Sequence, residues 1–134
     1  MRTNVAVRSW VGALLVAVAV GCTVPIYTVE SHPTPASARN LSTERMQRAI
    51  MLAGQRYQWQ MSPVDAQTLH ATHTNKQHSA TVEIRYTAQS YSIKLVNSTA
   101  LKQTSTQIHH AYNIWIRNLE AEIDLRLSEA AMAS

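Results

Sequence analysis

Thr81-Val82-Glu83-Ile84-Arg85-Tyr86 and Tyr91-Ser92-Ile93-Lys94-Leu95 are the two runs whose reading decides the fold of this chain. Apolar and polar residues alternate strictly in both, the period of a strand with one dry and one wet face. A two-residue turn at Ala88-Gln89 pairs Tyr86 with Tyr91, Ile84 with Ile93 and Val82 with Leu95 on one face, and sets Glu83 against Lys94 on the other. Local pattern and cross-strand chemistry agree on that register. Ala-Gln lacks the Gly or Asn favoured in tight hairpin turns, which leaves a longer loop open.

The pattern extends upstream. Leu69 and Ala71 alternate with Thr68, His70 and Thr72, and a polar turn near Asn75-Lys76 follows. The same logic faces Leu69 with Val82, Ala71 with Ala80 and His73 with His78. Tyr57, Trp59 and Met61 share a face before a turn at 62–65 that contains Pro63. Leu41-Ser42-Thr43-Glu44 opens a helix: Ser42 caps the free amides, Glu44 complements the positive end and Leu41 acts as a staple. Met46, Ala49, Ile50 and Ala53 make its apolar stripe, and Gly54 is the natural stop. After a polar connection over 97–106, Ile108, Tyr112, Trp115, Leu119 and Ile123 mark a long helix, widened by Ala111, Ile116 and Leu127. Helix, three to four antiparallel strands, helix predicts an α+β two-layer sandwich, both helices on one sheet face and the other face wet.

The first residues set the address. Arg2 and Arg8 form a positive segment, Trp10 to Val20 an apolar one, and Gly21-Cys22 a small-residue end, the layout of a secretory signal. A membrane span wants ~20 apolar residues, and Pro25 arrives too early for that. Val18-Ala19-Val20-Gly21-Cys22 resembles a bacterial lipobox, with Ala19 where Leu or Val is usual. That resemblance implies acylation of the Cys22 sulfur, cleavage before Cys22 and acylation of the freed amine, with chains such as palmitate. Several chains are needed for stable anchoring, since each buried methylene is worth about 0.8 kcal/mol. Thr23 follows the cysteine where inner-membrane lipoproteins carry Asp, so outer-membrane sorting with the body in the periplasm is expected. The expected organisation is a signal peptide at 1–21, the lipidated Cys22 and a Pro-rich tether over 22–40, the domain over 41–130, and a frayed tail over 131–134.

Removing Arg2 and Arg8 leaves ten of the 12 basic side chains against eight acids, so the processed chain is near +2 rather than +4. That balance is too weak and too scattered for nucleic acid, which wants a clustered basic face. With a single cysteine a disulfide framework is impossible, and the core alone must hold the fold. Pro25-Ile26-Tyr27 with Val29-Glu30, then Trp59-Gln60-Met61, Tyr91-Ser92-Ile93, and Ile108-His109 with Tyr112-Asn113 and Trp115, resemble a family of small proteobacterial lipoproteins of uncharacterised function. The resemblance implies localisation and fold, and it carries no catalytic residue with it.

An enzyme is not indicated: no cysteine nucleophile remains, three glycines make no phosphate-cradling loop, and no paired carboxylates stand near a histidine. No cofactor is expected beyond the covalent lipid on Cys22. His73 and His78, opposite one another in the register above, are weak metal candidates, since zinc or copper wants three or four converging ligands. His109, Tyr112, Asn113 and Trp115 form the densest polar–aromatic cluster, either a recognition rim or support for the core. The expected function is a lipid-anchored, non-catalytic envelope module facing the periplasm, with the membrane and an envelope protein as partners. The alternative is a periplasmic metal binder using a histidine cluster.

Overall fold

The computed structural model describes residues 23–133 together with Gly12. The expected signal segment apart from Gly12, the expected lipidation residue Cys22 and the final Ser134 lie outside the described residues. Seven strands and two long helices follow in order: β1 (Thr23–Pro25), β2 (Val29–Pro33), a 3-10 turn (Ala36–Ala38), α1 (Thr43–Arg56), β3 (Gln60–Asp65), β4 (Thr68–Asn75), β5 (His78–Tyr86), β6 (Ser90–Thr99), β7 (Gln107–His109) and α2 (His110–Met132). The fold is α+β, with a five-stranded antiparallel sheet in the order β2-β6-β5-β4-β3 and a separate β1-β7 pair. Among the described residues no helix is long and apolar enough to cross a membrane.

The central hairpin has the register its alternation dictates: Tyr86 pairs with Tyr91, Ile84 with Ile93, Val82 with Leu95 and Glu83 with Lys94. The Ala88-Gln89 turn closes without glycine because the Thr87 hydroxyl accepts the amides of Gln89 and Ser90, both at 3.2 Å. Hydroxyl-to-backbone bonds of this kind substitute for turn-favouring backbone conformations. Beyond Val82 the strands slip past a bulge, and Thr81 faces Asn97.

The β4-β5 register differs from the expected one by two residues. Leu69 faces Ile84, Ala71 faces Val82 and His73 faces Ala80, around a two-residue turn at Lys76-Gln77. A slip of two keeps every side chain on its own face, so the apolar pattern is blind to it. On the dry face Leu69, Ala71, Val82, Ile84, Tyr86, Tyr91 and Ile93 are buried against Ile50, Ala53, Ile116, Leu119 and Ile123 of the helices. Both helices cover this one face. The opposite face is wet and cross-linked by a Thr72–Thr81 hydroxyl pair at 2.9 Å and by Glu83 between His70 and Arg85.

Four further expectations are corrected. Residues 23–40 are not a stalk: β1 and β2 belong to the folded body, β2 being an edge strand paired with β6. Ile26 and Tyr27 pack on the core, and Val29 is buried within it. Pro33 is tolerated because it ends an edge strand. The segment 62–65 is strand, not turn, and Pro63 lies on the other edge strand. The connection after β6 is anchored by Leu101, which is only 1 % exposed and whose carbonyl accepts the His109 amide at 2.8 Å. Finally, α2 continues to Met132, with Ala131 packed on the core where fraying was expected.

Gly54 does not stop α1 but lies inside it. An added Cβ there would collide with the side chain of Met61. The stop comes from Gln58, whose φ of 63° is left-handed. Gln58 N–H donates to the Gln55 carbonyl at 3.1 Å and Trp59 N–H to the Gly54 carbonyl at 2.9 Å. This is a Schellman ending with glutamine where glycine is usual, and it swings Tyr57, Gln58 and Trp59 round the end of the helix.

Candidate functional site

That helix ending builds one wall of a cavity of about 330 Å³ lined by Arg56, Tyr57, Gln58, Trp59, His73, Trp115 and Asn118. Three elements supply it. The end of α1 brings Trp59, 3 % exposed; β4 brings His73 from the dry face; α2 brings the half-buried Trp115. The His73 ring is wedged between the two indoles, 5.3 Å from Trp59 and 4.6 Å from Trp115, edge-on to the latter. These are the separations at which aromatic rings attract beyond their buried area.

One buried polar atom here lacks a protein partner. His73 Nδ1 is buried with no hydrogen-bond partner among the described residues. Buried polar atoms in native proteins are nearly all paired, so the unpartnered His73 Nδ1 marks a place to look for a ligand. At the rim the Arg56 guanidinium lies 5.4 Å from the centre of the Tyr57 ring. Gln58 and Asn118 are exposed beside it. No carboxylate lines the cavity.

The residues singled out in the sequence are dispersed. Of His109, Tyr112, Asn113 and Trp115, Trp115 alone lines the cavity. Tyr112 is fully buried in the core, its hydroxyl unpartnered and burial pushing its pKa up. Asn113 grips the incoming chain: its Oδ1 accepts the Tyr27 amide and its Nδ2 donates to the Pro25 carbonyl, both at 2.9 Å. His109 caps α2, its Nδ1 accepting the Ala111 amide at 3.1 Å.

His73 and His78, expected to face one another, are separated by the two-residue register difference. Asn75 is the residue opposite His78. The His78 ring instead lies 6.1 Å from His109, which stacks on His110 at 4.4 Å. Burial, and then the neighbouring His110 and His78, hold the His109 pKa below its ordinary value. Among the described residues no three His, Cys, Asp or Glu side chains form a group able to hold a metal ion.

One constellation runs against the expectation that no paired carboxylates stand near a histidine. Glu120 and Asp124, one turn apart on α2, meet His32 of β2, whose Nε2 is 2.9 Å from Asp124 Oδ2. Tyr27 donates to Glu120 at 2.8 Å and Tyr91 to Asp124 at 2.9 Å. Burial, followed by the Asp124 carboxylate, pushes the Tyr91 pKa up. Arg117 covers the Tyr27 ring at 4.0 Å. Both acids are engaged by phenols, and the cluster fastens the first folded segment to α2. Tyr27, His32 and Tyr91 lie far from the two acids in the chain, and no spacing in the sequence joins them.

No family model, no curated protein and no solved structure matches this chain, so the site is read from its own geometry.

Proposed function

We propose that this is a lipid-anchored cell-envelope protein of the proteobacterial lipoprotein type, held at the outer membrane with its domain in the periplasm. The domain acts as a non-catalytic interaction or structural module. The observation that carries the reading is the position of the lipobox-like Val18–Cys22 relative to the fold. Cys22 is bonded to Thr23, and Thr23 is already paired with His109 in the β1-β7 ladder. Acyl chains on Cys22 would therefore adjoin the folded body directly, with the expected tether absent. A rigid attachment point suits a module that works close to the bilayer, since a long flexible linker would dilute it over a larger volume.

The test is processing and fractionation of the full chain in a Gram-negative host. Wild-type protein is expected in the membrane fraction at its processed size, and Cys22→Ser or inhibition of the lipoprotein signal peptidase is expected to leave an uncleaved or soluble species. Unchanged size and unchanged membrane attachment in both cases would overturn the reading. Crosslinking in intact cells then identifies the envelope partner. A metal-binding role through His73 and His78 gains no support from their positions.

A further inference from the structure

We propose that the cavity between the end of α1, β4 and α2 binds a sugar ring of a glycan. Its walls include the half-buried Trp115 indole and Tyr57 phenol, flat faces against which the C–H face of a pyranose stacks. Its rim carries the guanidinium of Arg56 and the carboxamides of Gln58 and Asn118, groups that donate to and accept from vicinal hydroxyls. The buried, unpartnered His73 Nδ1 supplies one further polar atom. At about 330 Å³ the cavity stands at the small end of ligand pockets, room for one ring or two rather than a long chain.

Other ligand classes fit less well. A metal ion would find one histidine and neither a carboxylate nor a thiolate in the lining. An organic cation would gain from the aromatic faces, but it would meet Arg56 with no acid to offset it. A purely apolar chain would strip water from Arg56, Gln58 and Asn118 and give nothing back. A neutral, polyhydroxylated ring with one apolar face suits both the aromatic walls and the polar rim of Arg56, Gln58 and Asn118. The backbone adds to this: Gln58 holds a left-handed conformation that glycine would adopt without strain. Strained residues of this kind concentrate at ligand sites.

The chain has three tryptophans, and two of them, Trp59 and Trp115, line the cavity. Full-length protein carrying Trp10→Phe, in detergent, therefore reports on this cavity alone through its indole fluorescence. The probes are an N-acetylglucosamine trisaccharide, the deacylated core oligosaccharide of a lipopolysaccharide, and tetramethylammonium as the cationic control. The expected result is a saturable change with at least one saccharide, with a Kd of about 1 mM for contacts to a single ring. Which saccharide saturates distinguishes a cell-wall source from a lipopolysaccharide source. Asn118→Ala and Gln58→Gly, both at exposed positions, are each expected to weaken it about fivefold while the thermal transition stays cooperative. Saturation by neither saccharide, saturation by the ammonium ion alone, or rim variants that bind like the parent would each overturn the proposal.

Discussion

Replacing Asn113 with alanine should detach the first folded segment from α2, and the structure sets the size of the effect. The substitution removes two hydrogen bonds of 2.9 Å, one from the part-buried Tyr27 amide and one to the more exposed Pro25 carbonyl. A neutral hydrogen bond is worth roughly 1 kcal/mol net, and more where a donor is left buried and unpaired. The pair therefore contributes about 2–2.5 kcal/mol. Alanine returns about 0.6 kcal/mol through its better helix propensity. The net loss is about 1.5–2 kcal/mol, which in a domain of this size lowers Tm by roughly 6–12 °C. Thermal and urea unfolding measure the total, and hydrogen exchange localises it. Amides of Ile26 to His32 should lose protection first, while those of β5 and β6 keep theirs. Asn113→Asp, which retains an acceptor for the Tyr27 amide, should lose about half as much. A change below ~0.5 kcal/mol with unaltered exchange at 26–32 would refute the view that this segment is part of the body.

Gln58→Gly should raise stability by up to about 1 kcal/mol, because glycine relieves the left-handed strain at the end of α1; a drop in Tm would contradict this. Leu101→Ala should cost about 2–5 kcal/mol in urea unfolding, as expected for a fully buried leucine plugging the β6-β7 connection. Stability should fall on acidification in two windows. The depressed pKa of His109 favours the neutral ring in the fold, so its contribution is complete above about 6.5 and is lost as pH drops towards the folded value; His109→Asn keeps a capping acceptor and should flatten that limb. Glu83 is held low first by the hydrogen bond from His70, then by Arg85, so its contribution is complete above about 4.3 and is lost through its folded value; Glu83→Gln should remove that limb.

The central hairpin was legible because two independent signals, side-chain alternation and the Glu83–Lys94 pairing, agree on one register. The two helices were legible from their apolar stripes, and Ser42 does cap α1 by accepting the Arg45 amide. The register between β4 and β5 was not, since a two-residue slip leaves period-2 patterning unchanged. β2 was hidden for a different reason. It presents one buried apolar residue, Val29, and its remaining attachment is polar and non-local, through His32 to Asp124 and through Tyr27 to Asn113 and Glu120. Three prolines around such a strand imitate a stalk. The cavity was legible only in fragments. His73 and Trp115 stood out as residue types, but nothing in the spacing of Trp59, His73 and Trp115 says that one histidine will slot between two indoles. That juxtaposition depends on the left-handed turn at Gln58, where the sequence carries no glycine to announce it.

The direct measurement of the central claim is the intact mass of the protein extracted from the envelope of the host. A polypeptide beginning at Cys22 and heavier than its sequence by covalently attached acyl chains is the predicted result. A free thiol at Cys22, or a chain that begins at another residue, would contradict it.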